Sequence, residues 1–92
     1  MLVANLDAKE IVFPLVLRRV KAGDYFYPLG MPKKKKIARF MIDLRMSLSE
    51  KSQIWVLESE NRILWVVGKR IDDRFKVTAK TKDVMKIELD DL

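Results

Sequence analysis

Nine basic side chains, Arg18, Arg19, Lys21, Lys33, Lys34, Lys35, Lys36, Arg39 and Arg45, fall within 28 consecutive residues whose only acids are Asp24 and Asp43. That segment carries +7, residues 1–17 carry −1 and residues 46–92 carry zero, so the whole net charge of +6 has one address. A local field of that sign suits a polyanion, because lysine and arginine displace the counterions condensed on phosphates. A solvated basic loop with no partner accounts for the charge alone equally well.

Little other chemistry is on offer. The chain has no Cys and no His, which removes zinc sites, iron–sulfur clusters, thiolate nucleophiles, disulfides and imidazole bases together. Gly23, Gly30 and Gly68 are spaced wrongly for a phosphate-binding P-loop. Asp72-Asp73 and Asp90-Asp91 are sequence neighbours, which a strand would turn to opposite faces. Lys69 follows Gly68, yet nothing apolar around it is demanded that would lower its pKa. No catalytic or metal-binding residue is therefore assigned in this chain. The longest apolar runs, residues 11–17 and 63–67, fall far short of the roughly 20 residues that span a bilayer, and no signal peptide opens the chain. A cytoplasmic setting is expected. Lys33 to Lys36 would attract anionic lipid, but no amphipathic helix with a free apolar face adjoins them, so no membrane partner is expected.

The elements that must position these cations can be read from periodicity. Ninety-two residues are enough for one domain and too few for two. Residues 11–20 read as a strand with Ile11, Phe13, Leu15 and Leu17 on one parity, Pro14 lying at its start, at a bulge or on an edge. Lys21 to Asp24 reads as a turn and Tyr25 to Leu29 as a short strand. Ile37, Phe40, Met41, Leu44 and Leu48 share one face of a helix, with Lys35 and Arg39 on the opposite face and Ile42 and Met46 suggesting a second packing contact. Ser47 and Glu50 match a capping box. Residues 53–58 and 62–67 form a hairpin joined by Ser59-Glu60-Asn61, with Glu58 facing Arg62. Both its strands are apolar on both parities, so it should be covered on both faces. Gly68 ends it, Phe75 and Val77 pin the polar stretch beyond, and residues 84–89 alternate as a last half-exposed strand, ahead of a frayed Asp90-Asp91-Leu92. The fold class is α+β, mainly β: a small layered β-sandwich with one principal helix. Its core should hold Phe13, Leu15, Leu17, Phe40, Leu44, Trp55, Leu57, Trp65 and Val67, with the two tryptophans across the covered sheet.

Three blocks of sequence, taken in order, resemble a known family. They are Pro14-Leu15-Val16-Leu17-Arg18 with Gly23-Asp24 and Pro28-Leu29-Gly30; Lys35-Lys36-Ile37-Ala38-Arg39-Phe40-Met41-Ile42-Asp43; and Trp65-Val66-Val67-Gly68-Lys69-Arg70-Ile71-Asp72-Asp73-Arg74, followed by Thr81 and the final strand. Over residues 13–89 the chain is similar to the C-terminal domain of bacterial tRNA(Ile)-lysidine synthetase. The resemblance implies a single tRNA-binding domain over residues 1–92, with a layered fold related to a domain of the phenylalanyl-tRNA synthetase β subunit. It implies as parent an ATP-dependent ligase that forms a C–N bond between lysine and the wobble cytidine of the isoleucine tRNA with a CAU anticodon. ATP, with magnesium, would belong to a catalytic PP-loop domain bearing a Ser-Gly-Gly-x-Asp-Ser motif that this chain lacks. The chain alone would be inactive and would have that catalytic domain and the tRNA as partners.

Departures from the family pattern stand at Tyr25, where members often carry Arg after the Gly-Asp pair, and at Ser47 and Lys51. The alternative is a free-standing basic RNA-binding or ribosome-associated module, although Tyr25, Phe26 and Tyr27 match no common aromatic RNA-binding signature. Arg18, Arg19, Lys33, Lys34, Lys35, Lys36 and Arg39 are the expected phosphate contacts. Lys21, Arg45, Arg70 and Arg74 form a second rank, the last two with acidic partners available at Asp72, Asp73 and Asp83.

Overall fold

The hairpin that the sequence places at the centre of the fold is found there. In this computed structural model, which describes residues 1–90, the elements are β1 (Leu2–Asp7), β2 (Val16–Arg19), β3 (Tyr25–Phe26), β4 (Lys35–Lys36), α1 (Ile37–Asp43), α2 (Leu48–Lys51), β5 (Trp55–Ser59), β6 (Arg62–Val66), β7 (Arg70–Ile71) and β8 (Val84–Leu89). Antiparallel strands in the order β2-β5-β6-β7 make the central sheet. Residues 63–67 are all buried. Each such side chain stabilises by roughly 1.5–3 kcal/mol, so the two-sided burial of this hairpin dominates the fold.

Two thin layers supply that cover. On one face, Val56, Ile63 and Val66 pack with Phe26, Ile37, Phe40, Met41, Met46 and Ile54, which come from the β3–β4 ribbon, α1 and the segments after it. On the other face, Leu57, Leu64, Trp65 and Val67 pack with Phe75 and with Ala4 and Leu6 of the β1–β8 ribbon. The expected α+β, mainly β layering is the one observed.

Several local expectations are corrected. The strand expected over residues 11–20 is reduced to the four residues of β2, and Val12 instead gives both backbone groups to the buried Ser59 hydroxyl, its N–H donating at 2.9 Å and its carbonyl accepting at 2.8 Å. Phe13 is exposed, not core, and Leu15 and Leu17 are half-buried. The principal helix ends at Asp43, since Arg45 adopts a left-handed φ of 55°. The apolar stripe runs past that break, so Leu44 and Leu48 are exposed and Met46 takes the buried place, while Ile42 faces outward. The hairpin turn has two residues, Glu60 and Asn61, both at positive φ, the geometry that matches strand twist. Ser59 therefore opposes Arg62, and Glu58 opposes Ile63. Val77 is exposed, whereas Phe75 is the expected pin. Trp65 is buried, and Trp55 is half-buried on the same face.

Two expectations held in detail. Ser47 and Glu50 close a reciprocal capping box on α2, and β8 alternates exposed and half-buried residues along its length. Of the expected frayed end, Asp91 and Leu92 lie outside the described residues.

Candidate nucleic-acid interface

Strand parity divides the basic segment. Arg18 pairs with Val56 and so shares the face covered by α1, whereas the next residue, Arg19, pairs with Trp55 and turns to the opposite face. There its guanidinium lies 4.4 Å from the centroid of the Trp55 ring. The two arginines, adjacent in sequence, cannot act on the same side of the sheet.

Arg18 has no donor to spare. Its Nη atoms bind both oxygens of Asp24 at 2.9 Å, and its Nε and one Nη bind Glu58 at 3.1 and 3.4 Å. The remaining N–H reaches the Arg19 carbonyl at 3.0 Å. All five guanidinium protons are thus used inside the chain. Hydrogen bonding to Asp24, with Glu58 adding to it, raises the Arg18 pKa further above its ordinary value despite partial burial. Burial pushes the Asp24 carboxyl upward, but the Arg18 bond and the Lys21 N–H at 2.7 Å outweigh it and hold the group below the usual range. The pair fixes the Lys21–Asp24 turn, where Gly23 supplies a φ of 89°. The Asp24 carbonyl then accepts the Ile37 N–H at 2.9 Å, which seats the start of α1.

Contrary to expectation, Lys35 does not share a helix with Arg39. Lys35 and Lys36 form β4, paired with Phe26 and Tyr25 respectively. Phe26 is fully buried, and Lys35 beside it reaches over to bond the Asp43 carboxylate. Arg39, on the exposed side of α1, shares that carboxylate at 3.4 Å. The hydrogen bond from Lys35 is the main reason that Asp43 titrates below its ordinary range. Lys36 and Tyr25 share the outward face of the ribbon, and the Lys34 ammonium joins them 4.9 Å from the Tyr25 ring centroid. Lys33, Lys21 and Arg45 are exposed in the adjoining loops.

The same outward face continues to Tyr27, whose ring meets Tyr25 edge-on at 6.5 Å. Arg74 covers Tyr27 at 4.3 Å and is held there by Asp72, which receives its Nε and Nη2 at 3.0 Å each. Asp72 is fully buried, and it also accepts the Tyr27 N–H at 2.9 Å and the Arg74 N–H at 2.8 Å. Of the acidic partners open to Arg74, Asp72 is thus the one engaged. Arg70 instead lies 5.3 Å over the Phe40 ring at the edge of α1.

The structure therefore groups Lys34 and Lys36 with Tyr25 and Tyr27. It ties Lys35 and Arg39 to Asp43 and Arg18 to Asp24 and Glu58, and it sends Arg19 to the far side. The tyrosines were missed as site candidates. Their i, i+2 spacing around the apolar Phe26 is the signal that could have found them.

A family model described as the TilS substrate C-terminal domain matches residues 15–89. The chain is 43% identical over 83 residues to a tRNA(Ile)-lysidine synthase of Parabacteroides distasonis, covering 90% of this chain and 19% of the relative. To that of Dehalococcoides mccartyi it is 38% identical over 87 residues, covering 95% of this chain and 18% of the relative. This chain thus spans about a fifth of the length of the curated relatives it matches. A solved structure described as a TILS C-terminal domain superposes with a TM-score of 0.76 at 21% identity, covering 92% of this chain and 65% of that one, a likeness of fold. These matches agree with the three sequence blocks, and the chain belongs to the TilS substrate C-terminal domain family.

Proposed function

We propose that this chain is the RNA-holding domain of a tRNA(Ile)-lysidine synthase, and that it grips the tRNA backbone through the outward face of the β3–β4 ribbon. The observation that carries this reading is the register that sets Lys36 beside Tyr25, with Lys34 over the same ring and no internal carboxylate bonded to either lysine among the described residues. Lys33, Lys21 and Arg45 extend the basic surface. Arg18 is a scaffold residue in this reading, and Lys35 and Arg39 act at reduced strength because Asp43 offsets them.

The parent enzyme would join lysine to the wobble cytidine of the isoleucine tRNA with a CAU anticodon in the cytoplasm, spending ATP. This chain has no Ser-Gly-Gly-x-Asp-Ser motif, so its residues do not fit an ATP site and no adenylation step is assigned to them. Its part is to bind and orient. Phosphate contacts fix position without reading sequence, and specificity would come from joining this grip to the catalytic domain, since linking weak sites multiplies affinity without new contacts. Titration of the 92-residue chain with unmodified isoleucine tRNA and with an unrelated tRNA checks this. Similar affinities for both, weakening with salt, are expected. Absence of binding to either at low salt would remove the reading, and strong preference for one would contradict the division of labour.

A further inference from the structure

We propose that the Tyr25 ring is a stacking platform for an unpaired RNA nucleobase, with Lys34 and Lys36 taking its flanking phosphates; this rests on the RNA-binding reading above and adds a base contact to it. Tyr25 is 45% exposed on the face it shares with both lysines. Its position is built rather than incidental. The edge of the contact with Tyr27 stands at 70°, and Tyr27 is itself clamped under Arg74, which the buried Asp72 holds through two bonds. A ring fixed in advance loses little freedom when a base stacks on it.

The ring already has a cationic guest, the Lys34 ammonium. That ammonium sits on a flexible four-carbon stem, so it can move to a phosphate and vacate the ring for a base. The two acids of the basic segment do not oppose an incoming phosphate, because Asp24 is paired with Arg18 and Asp43 with Lys35 and Arg39. Bases inside an A-form stem present no free face, so the occupant is a single-stranded nucleotide from a loop or an end. Stacking accepts any base, and the contact should carry little sequence preference.

Two labelled RNA hairpins of identical stem test this, one blunt and one carrying a short single-stranded 3′ extension that includes 2-aminopurine. The extended hairpin is expected to bind the wild-type chain about five-fold or more tightly than the blunt one, with quenching of the 2-aminopurine. Tyr25→Phe should keep that gain. Tyr25→Leu should abolish the gain, so that it binds the two hairpins alike, and a circular dichroism spectrum and urea midpoint close to those of the wild type show that the variant is folded. Equal affinity for the two hairpins, or a gain that survives Tyr25→Leu, would overturn the platform and leave the RNA-binding reading standing. If neither hairpin bound, both would fall.

Discussion

Two short antiparallel ribbons cover opposite faces of one sheet, and their lysines have different neighbours. On the β1–β8 ribbon, Lys86 bonds Glu88 at 3.2 Å, and the cleft of about 420 Å³ at its end mixes Lys9, Lys80 and Lys82 with Asp7 and Asp83. Asp7 there accepts the Lys9 N–H and the Thr81 hydroxyl, and these bonds lower its pKa. Beside the β3–β4 ribbon the Lys34 ammonium lies over the Tyr25 ring and Lys36 is paired with Tyr25, while Lys35 turns to the Asp43 carboxylate. Each ribbon buries one face, Ala4 and Leu6 on the first and Phe26 on the second, and these outward cations take no part in either core. Net charge therefore says less about a partner than which side chains stand beside each cation.

The largest expected effect bears on how the second ribbon is anchored. Asp72→Ala should destabilise the chain by about 3–5 kcal/mol, because it leaves the Arg74 guanidinium and the backbone N–H groups of Tyr27 and Arg74 without their partner. Urea unfolding measures this, and a loss under 1 kcal/mol would mean that the ribbon is held by packing alone. Arg18→Ala is next, at about 2 kcal/mol, since Asp24 and Glu58 lose their shared partner. The salt dependence of tRNA binding should hardly change in that variant. Because the folded pKa of Asp24 lies below its unfolded value, the stabilisation is present above the unfolded carboxyl pKa and is lost as pH falls below about 4. The urea midpoint of the wild type should therefore drop between pH 4 and 2 by more than that of Arg18→Ala. A smaller and opposite effect is expected from Asp43→Asn. It releases Lys35 and Arg39, so the chain should bind tRNA more tightly, with log K against log salt steeper by about one to two units. Unchanged or weakened binding would show that those cations lie off the RNA path.

The sequence made the centre of the molecule legible and its basic face only partly so. Apolar residues on both parities of residues 54–57 and 63–67 announced a sheet covered twice, and a Ser-x-x-Glu spacing announced a helix start; both signals are local. The end of α1 was hidden because Arg45 takes the left-handed conformation without a Gly or Pro to mark it. β1 was missed altogether, although Ala4 and Leu6 are buried at spacing two. The basic face failed for a different reason. A run of lysines has no periodicity of its own, and which cation finds an acid depends on tertiary partners such as Asp43, eight residues beyond Lys35.

In the proposed reading RNA is held by particular cations on the β3–β4 face and not by overall charge. Two double variants with equal charge loss decide it: Lys34→Ala with Lys36→Ala, and Lys86→Ala on the opposite ribbon with Lys82→Ala just before it. Surface changes of this kind should shift stability by less than about 0.5 kcal/mol, so tRNA binding across a salt series reads the interface directly. The first pair is expected to flatten the slope of log K against log salt by about two units, and the second to leave it within error of the wild type. Equal flattening by both pairs would contradict the account.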